Sequence, residues 1–249
     1  MLDLDGVVWL DDEPIDGAAG AVALLQRSGE AVVFVTNNSS VTVADQEAKL
    51  ARHGIAAEGA VVTSAMAAAG LVAPGERALV CAGDGVRAAL LARGAEPVTD
   101  GDADVVVVGF HRHFDYEGLR VAATAVQRGA RLVATNDDAT FPTPAGPIPG
   151  GGAILAAVAT ATGVSPTVAG KPHQPMADVV LAEVAARGTP SPGHMVGDRP
   201  DTDGLFARLL GYRFELVLSG ITTAGDLPVD PEPDRVADTL ADLVANLHA

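Results

Sequence analysis

Cysteine is almost missing: among 249 residues there is one, Cys81. No internal disulfide is possible, and a lone thiol fits a reducing cytoplasm. Cys81 follows a short β-rich run and reads as a buried small hydrophobe. Long apolar runs are missing too. No stretch approaches the roughly 18 apolar residues of a membrane span, and the start lacks the basic-then-apolar layout of a signal peptide, so no membrane association is expected. Positive charge is scarce, with 16 basic against 32 acidic residues and a net charge of −16. Such a field repels nucleic acid and anionic lipid, and an anionic substrate would need local cations. Lysine is the rarest cation, present only as Lys49 and Lys171 beside fourteen arginines. A lysine kept where arginine is the rule points to a need for a compact point charge.

What is present is apolar material, 48% of the chain, enough to bury a core in one large domain or two small ones. Short β-rich runs alternate with alanine- and leucine-rich stretches of helical period. Residues 31–35, 78–82, 104–110, 131–135, 167–170, 194–197 and 215–220 read as buried strands. Residues 17–29, 84–94, 115–129, 175–188 and 203–211 read as helices, most of them ending at a glycine suited to a left-handed cap. That alternation predicts an α/β fold with a parallel sheet. Two proline-rich loops, 140–152 and 189–193, interrupt it.

In an open α/β sheet ligands sit beyond the carboxyl ends of the strands, and four such ends carry polar residues. The first is Asp3-Leu4-Asp5-Gly6, where a side-chain period of two puts both carboxylates on one face. Two like charges sharing a site require a cation, a proton or a ligand. The others are Thr36-Asn37-Asn38-Ser39-Ser40, Gly170-Lys171-Pro172, and Gly197-Asp198-Arg199-Pro200-Asp201-Thr202-Asp203. Taken singly each could be a capped turn. Together they form the set that phosphoryl transfer through an aspartyl intermediate needs. One carboxylate attacks phosphorus, and the second protonates the leaving alkoxide and later takes a proton from water. Magnesium held by Asp3, the carbonyl of Asp5 and Asp198 would balance the charge. Lys171, Thr36 and the amides near Asn37 would hold the remaining phosphate oxygens.

The quartet "DLDGVVW", "VTNNSS", "GKP" and "GDRPDTD" resembles the four signatures of the haloacid dehalogenase (HAD) superfamily of phosphatases. It most resembles the p-nitrophenylphosphatase and phosphoglycolate phosphatase branch, which residues 63–69 and 134–143 also match. The resemblance implies a Rossmann-like doubly wound core made of residues 1–71 and 167–249, with 72–166 inserted as an α/β cap. It implies that Asp3 is the nucleophile, Asp5 the general acid/base, Thr36, Asn37 and Asn38 the phosphate cradle, Lys171 the cationic clamp and Asp198 the second metal carboxylate. Asp203 is then a partner that orients Lys171 or a water, and Asp201 is a surface residue. The cap loop makes Asn136, Asp137, Thr140 and Phe141 candidates for choosing the leaving group. The implied substrate is a small phosphorylated metabolite such as glycerol phosphate, phosphoglycolate, a nucleotide monophosphate or pyridoxal phosphate, and the implied assembly is a homodimer through the cap. A phosphoacceptor switch and a non-catalytic phospho-ligand binder are the alternative readings of the same residues.

Three smaller expectations complete the reading. The glycine clusters 83–85 and 150–153 lack a full phosphate-loop pattern and read as turns, and His111 and His113 lack a third ligand for a metal. Gly204 inside a helical pattern should cost near ~1 kcal/mol. Only Met1 and Leu2 precede Asp3, whereas the resemblance implies a longer central strand, so the start is expected to fall late, leaving a mobile ammonium near the nucleophile.

Overall fold

The computed structural model describes residues 1–188 and 193–247; most of the proline-rich loop expected at 189–193 lies outside them. The chain forms an α/β structure with two parallel sheets. The first runs Val61–Thr63, Phe34–Thr36, Leu2, His194–Gly197, Arg213–Val217, Arg235–Ala237. Its centre is the N-terminus itself. Leu2 bridges to Phe34 on one side and Val196 on the other, and Leu2 N, Val35 N, Asp3 N and Val196 N each close a 2.9 Å backbone bond across these seams. The terminal ammonium donates to the His194 carbonyl at 2.7 Å, so it is tied down and not mobile as expected.

Both faces of this sheet are buried, which is why its strands read as unbroken apolar runs and not as alternations. Val35, Met195 and Leu216 face one cluster, and their chain neighbours Phe34, Val196 and Val217 face the other. From the central strand the chain crosses first to Phe34–Thr36 and only later to His194–Gly197 on the opposite side. Asp3 and Asp5 therefore emerge at the point where strand order reverses, where a crevice opens in such sheets.

The second sheet holds five parallel strands in the order Thr167–Val168, Arg131–Ala134, Val105–Val108, Arg77–Cys81, Glu96–Val98. Its central strand is four buried valines. Thr167–Val168, expected in the core, instead pairs in register with Val133–Ala134, so the inserted sheet reaches just past the expected boundary.

Helices follow the expected segments at Ala18–Arg27, Asp84–Ala92, Tyr116–Gln127, Gln174–Ala186 and Leu205–Leu210. Val43–Arg52, Ser64–Gly70, Gly151–Thr162 and Leu240–Leu247 are further helices. Val43–Arg52 starts on a reciprocal box between Thr42 and Asp45. Neither glycine cluster is merely a turn: Gly83 and Gly150 precede helix starts at Asp84 and Gly151. A Cβ on Gly85 would fall 2.1 Å from the Val41 carbonyl oxygen, so the small residue lets the inserted unit pack against the first sheet's loop. Among the described residues no helix is long and apolar enough to cross a membrane.

Candidate active site

The four polar strand ends converge. One cavity is lined by Asp3, Asp5, Thr36, Asn38, Lys171 and Asp198, and its other wall comes from the inserted unit. Gly6 makes the first turn possible: its φ is +89°, and a Cβ there would lie 2.4 Å from Asp198 Oδ2. A side chain would be strained and would collide with a site carboxylate.

Lys171 is buried, 1% exposed, and its Nζ lies 2.6 Å from Asp203 Oδ1 and 3.0 Å from Asp3 Oδ1. Burial works to lower its pKa, but the carboxylates of Asp203 and Asp3 outweigh burial and the ammonium is held more firmly charged than usual. Asp203 is fully occupied, since its Oδ2 also accepts from Arg199 N at 3.2 Å. Asp3 Oδ1 accepts from Leu4 N at 2.8 Å. Burial raises the Asp3 carboxyl well above the ordinary range, with Lys171 pulling the other way.

Asp5 accepts from Trp9 Nε1 at 3.1 Å. Burial raises its pKa to about 6, opposed by Lys49 and by the indole N–H. Asp198 accepts from Ile221 N at 2.6 Å through Oδ2, while its Oδ1 is buried without a partner among the described residues. Burial and then Asp203 raise Asp198 to about 7. The carboxylates of Asp3, Asp5, Asp138 and Asp198 thus line the cavity with Lys171 and Arg199 as its cations, and among the described residues Asp198 Oδ1 has no donor. Oxygens of Asp3, Asp198 and Asp203 lie within 4.8 Å of one another. A hard divalent cation fits this set, because it supplies the charge the site lacks and takes the orphaned Asp198 oxygen. With Asp203 bound to Lys171, Asp3 and Asp198 are the carboxylates left for it.

The second strand end is braced as well as polar. Asn37 forms a two-way amide pair with the Lys171 backbone, Oδ1 accepting from Lys171 N at 2.8 Å and Nδ2 donating to Lys171 O at 3.0 Å. Its side chain places Lys171, and the cradle expected of Asn37 falls to the backbone amides beside it. Thr36 Oγ1 accepts from Asn38 N at 3.0 Å, and Asn38 Oδ1 accepts from Ser40 N and Oγ.

The cap candidates divide. Thr140 and Phe141 line the cavity. Asn136 lines it too, but its amide donates to Asn37 O at 2.8 Å and its Oδ1 accepts from Asp138 N at 3.2 Å, a brace between loop and core. Asp137 is not in the cavity wall; it is exposed and lies 3.3 Å from His173 Nε2. Its neighbour Asp138 takes the inward position, bonded to Asn37 Nδ2 at 2.9 Å. Asp201 is exposed beside Arg199. Sequence reasoning missed Asp138, Phe110, Trp9 and Arg199, whose Nη1 donates to Thr140 O at 3.3 Å. For Trp9 a signal existed, since it is the single tryptophan and stands four residues after Asp5.

Two family models match: one described as haloacid dehalogenase-like hydrolase over residues 1–96, the other as HAD-hydrolase-like over residues 168–243. The chain is 38% identical over 255 residues to the D-glycerol 3-phosphate phosphatase of Mycobacterium tuberculosis, covering 100% of this chain and 70% of that protein. It is 35% identical to an acid sugar phosphatase of Staphylococcus haemolyticus, covering 91% and 87%. Among solved structures, a p-nitrophenyl phosphatase from Archaeoglobus fulgidus superposes with a TM-score of 0.87 at 30% identity, over 99% of this chain and 97% of that one. A glycerol phosphate phosphatase from Mycobacterium tuberculosis in complex with magnesium gives 0.87 at 36% identity, over 98% and 75%.

Proposed function

The chain belongs to the haloacid dehalogenase-like hydrolases, and from that premise we propose how its own residues carry out phosphomonoester hydrolysis. The protein is a magnesium-dependent phosphatase of small phosphorylated metabolites. The nucleophile is Asp3, whose carboxylate is aimed by the Leu4 N–H and by Lys171. It forms a bond to phosphorus as the bond to the leaving oxygen breaks, giving an aspartyl phosphate. Asp5 gives that oxygen its proton, then takes one from the water that hydrolyses the intermediate. A carboxyl raised to about 6 is suited to both halves, since it holds and releases a proton near neutrality. Lys171, Thr36 and the amides around Asn37 and Asn38 receive the phosphate oxygens. Asp3, the Asp5 carbonyl and Asp198 would hold magnesium, which supplies charge neutralisation when an anionic nucleophile meets an anionic phosphate.

The observation that carries this reading is the buried Lys171 between Asp3 and Asp203, next to the unpartnered Asp198 oxygen. In this reading residues 1–71 are catalytic core and 72 onward the cap, with the return to the core moved from the expected 167 to just after Val168, because Thr167–Val168 pairs within the second sheet. Glycerol phosphate and small sugar phosphates are the leading substrates, on the strength of the relatives' names. A cytoplasmic setting, supported by the single buried Cys81, and a homodimer through the cap belong to the same reading. The test is phosphate release from a panel of phosphomonoesters with and without magnesium. Continuous release that needs magnesium and disappears in Asp3→Asn supports it. A single stoichiometric labelling would indicate a phosphoacceptor switch, and binding without release a phospho-ligand binder.

A further inference from the structure

The cavity beside Asp3 and Lys171 is also lined by Asp138, a carboxylate carried in on the loop after the inserted strand Arg131–Ala134. An acid in a cavity that receives an anionic phosphate opposes its own substrate by like-charge repulsion. Its place there is explained by what it holds. Asp138 Oδ2 accepts from Asn37 Nδ2 at 2.9 Å, and among the described residues its Oδ1 has no donor.

Asn37 is the hub of the seam between core and inserted unit. A primary amide has one oxygen and two hydrogens to place. The oxygen accepts from Lys171 N at 2.8 Å, one hydrogen goes to Lys171 O at 3.0 Å, and the other goes to Asp138. The main-chain carbonyl of Asn37 takes Ser64 Oγ at 2.7 Å and Asn136 Nδ2 at 2.8 Å. One residue is thereby bonded to the Lys171 backbone, to the helix Ser64–Gly70 and to the loop of the inserted unit. The fit is close, since a Cβ on Gly170 would lie 2.5 Å from Asn37 Oδ1. The amide and the chain leading into Lys171 touch, so a rotation of one moves the other.

Three side-chain bonds set the amide plane. Asn37 is buried, and a buried N–H without an acceptor carries a desolvation penalty that drives it to find another. Removing the Asp138 carboxylate therefore turns the amide away from the geometry that holds Lys171 N and O. The Lys171 ammonium lies at the end of this chain of bonds, 3.0 Å from Asp3 Oδ1. A shift of about 1 Å at such a group costs on the order of a hundredfold in rate. The loop that carries Asp138 is seated on the core through Asn136 and through Arg199 Nη1, which donates to Thr140 O at 3.3 Å.

We propose that Asp138 is a positioning residue for Lys171 acting through Asn37, so that the lysine is fully placed only when the loop of the inserted unit is seated. The proposal rests on the phosphatase reading above. Such a residue acts on the phosphoryl end of the substrate, and its loss is blind to the leaving group. The experiment is kcat/KM for p-nitrophenyl phosphate and glycerol phosphate, with the full chain and magnesium. Wild type is compared with Asp138→Ala, Asp138→Asn, Asn37→Ser and the double variant of Asp138→Ala with Asn37→Ser. Asp138→Ala is expected to lose about tenfold on both substrates, with their ratio unchanged. Removal of a repelling acid by itself would raise kcat/KM, so the sign of the change separates the two roles. Asp138→Asn keeps an acceptor oxygen for Asn37 Nδ2 and is expected to regain most of the loss. In the double variant the Asp138 change is expected to cost nothing further, as for two residues acting along one path. Unchanged or raised kcat/KM in Asp138→Ala overturns the relay. So does a loss confined to one substrate, an Asp138→Asn as poor as Asp138→Ala, or additive losses in the double variant. If Asn37→Ser does not fold, the rescue and the substrate ratio decide. A wild type that releases phosphate from neither substrate overturns the phosphatase reading itself.

Discussion

Lys171 Nζ donates to Asp203 Oδ1 at 2.6 Å, with both side chains essentially sealed from solvent. Neutralising Asp203 leaves Lys171 paired with Asp3 alone at 3.0 Å and removes a charge-assisted hydrogen bond worth about 1.5–3 kcal/mol. Asp203→Asn is therefore expected to lower the melting temperature and to cut kcat/KM by loosening the lysine. Asp203→Glu, which keeps the charge but lengthens the arm, is expected to restore part of the stability and little of the turnover. Differential scanning calorimetry alongside steady-state kinetics reads both, and an Asp203→Asn protein as stable and active as wild type would refute the clamp.

The two aspartates of the first strand should fail in different ways. Asp3→Asn has no nucleophile and is expected to show no phosphate release and no covalent phosphate. Asp5→Asn keeps the nucleophile but loses the base for the second half, so turnover is expected to fall by about 10²–10⁴-fold. Quenched enzyme should then carry phosphate, seen as a mass increment on the intact protein. Near-normal magnesium-dependent turnover in Asp3→Asn would end the mechanism.

The parts of this site that could be read from sequence are those whose chemistry needs particular residue types at strand ends: Asp3, Asp5, Thr36, Lys171 and Asp198. What could not be read depends on three-dimensional neighbours. The side chain of Asn37 pairs with the Lys171 backbone, a contact across 134 positions that no local pattern encodes. Asp137 and Asp138 are adjacent and chemically alike, and only the path of the loop decides which faces inward. The helix Gly151–Thr162 was hidden because apolar residues fill most of its positions and leave no polar stripe. Strands such as Arg235–Ala237 lie at a sheet edge, partly exposed, and lack the apolar run that marks the central ones.

Stability without magnesium should fall as pH rises. Burial raises Asp5 to about 6 and Asp198 to about 7, both above the ordinary value of 3.8. Between that value and the raised ones the folded state binds more protons than the unfolded chain, so unfolding free energy declines with pH. The contribution is complete below the ordinary value and is lost as pH passes through about 6 and then about 7. Magnesium replaces those protons, so it should flatten the slope and stabilise by about 2.7 kcal/mol at a hundredfold excess over its Kd. Thermal shifts across pH 5–8 with magnesium or EDTA measure this, and a magnesium-free melting temperature that climbs with pH would contradict it.

Trp9 should set the pH at which Asp5 works. The indole N–H bonds the carboxylate form at 3.1 Å and so pulls the Asp5 pKa down against the larger upward push of burial. Trp9→Phe preserves the buried ring and removes the donor. The Asp5 pKa should then rise, and the alkaline limb of kcat/KM, where the free enzyme loses its acid proton, should move to higher pH.

Gly204 stands where sequence alone misjudges a residue. A glycine in a helical pattern suggests a gain of about 1 kcal/mol on replacement by alanine. Here Gly204 is buried at the junction of the π-turn Pro200–Gly204 and the helix Leu205–Leu210. A Cβ would lie 2.9 Å from the Phe214 ring and 2.8 Å from the Pro231 ring. The Phe214 ring cannot retreat, because it is fully buried in the core, whereas Pro231 is half-buried. Overpacking of this kind costs about 1–3 kcal/mol, which exceeds the propensity gain. Gly204→Ala is therefore expected to melt several degrees lower than wild type, and to displace Asp203 with its hold on Lys171, so that kcat falls together with stability. A variant melting at or above the wild-type temperature would mean that propensity outweighs packing at this turn.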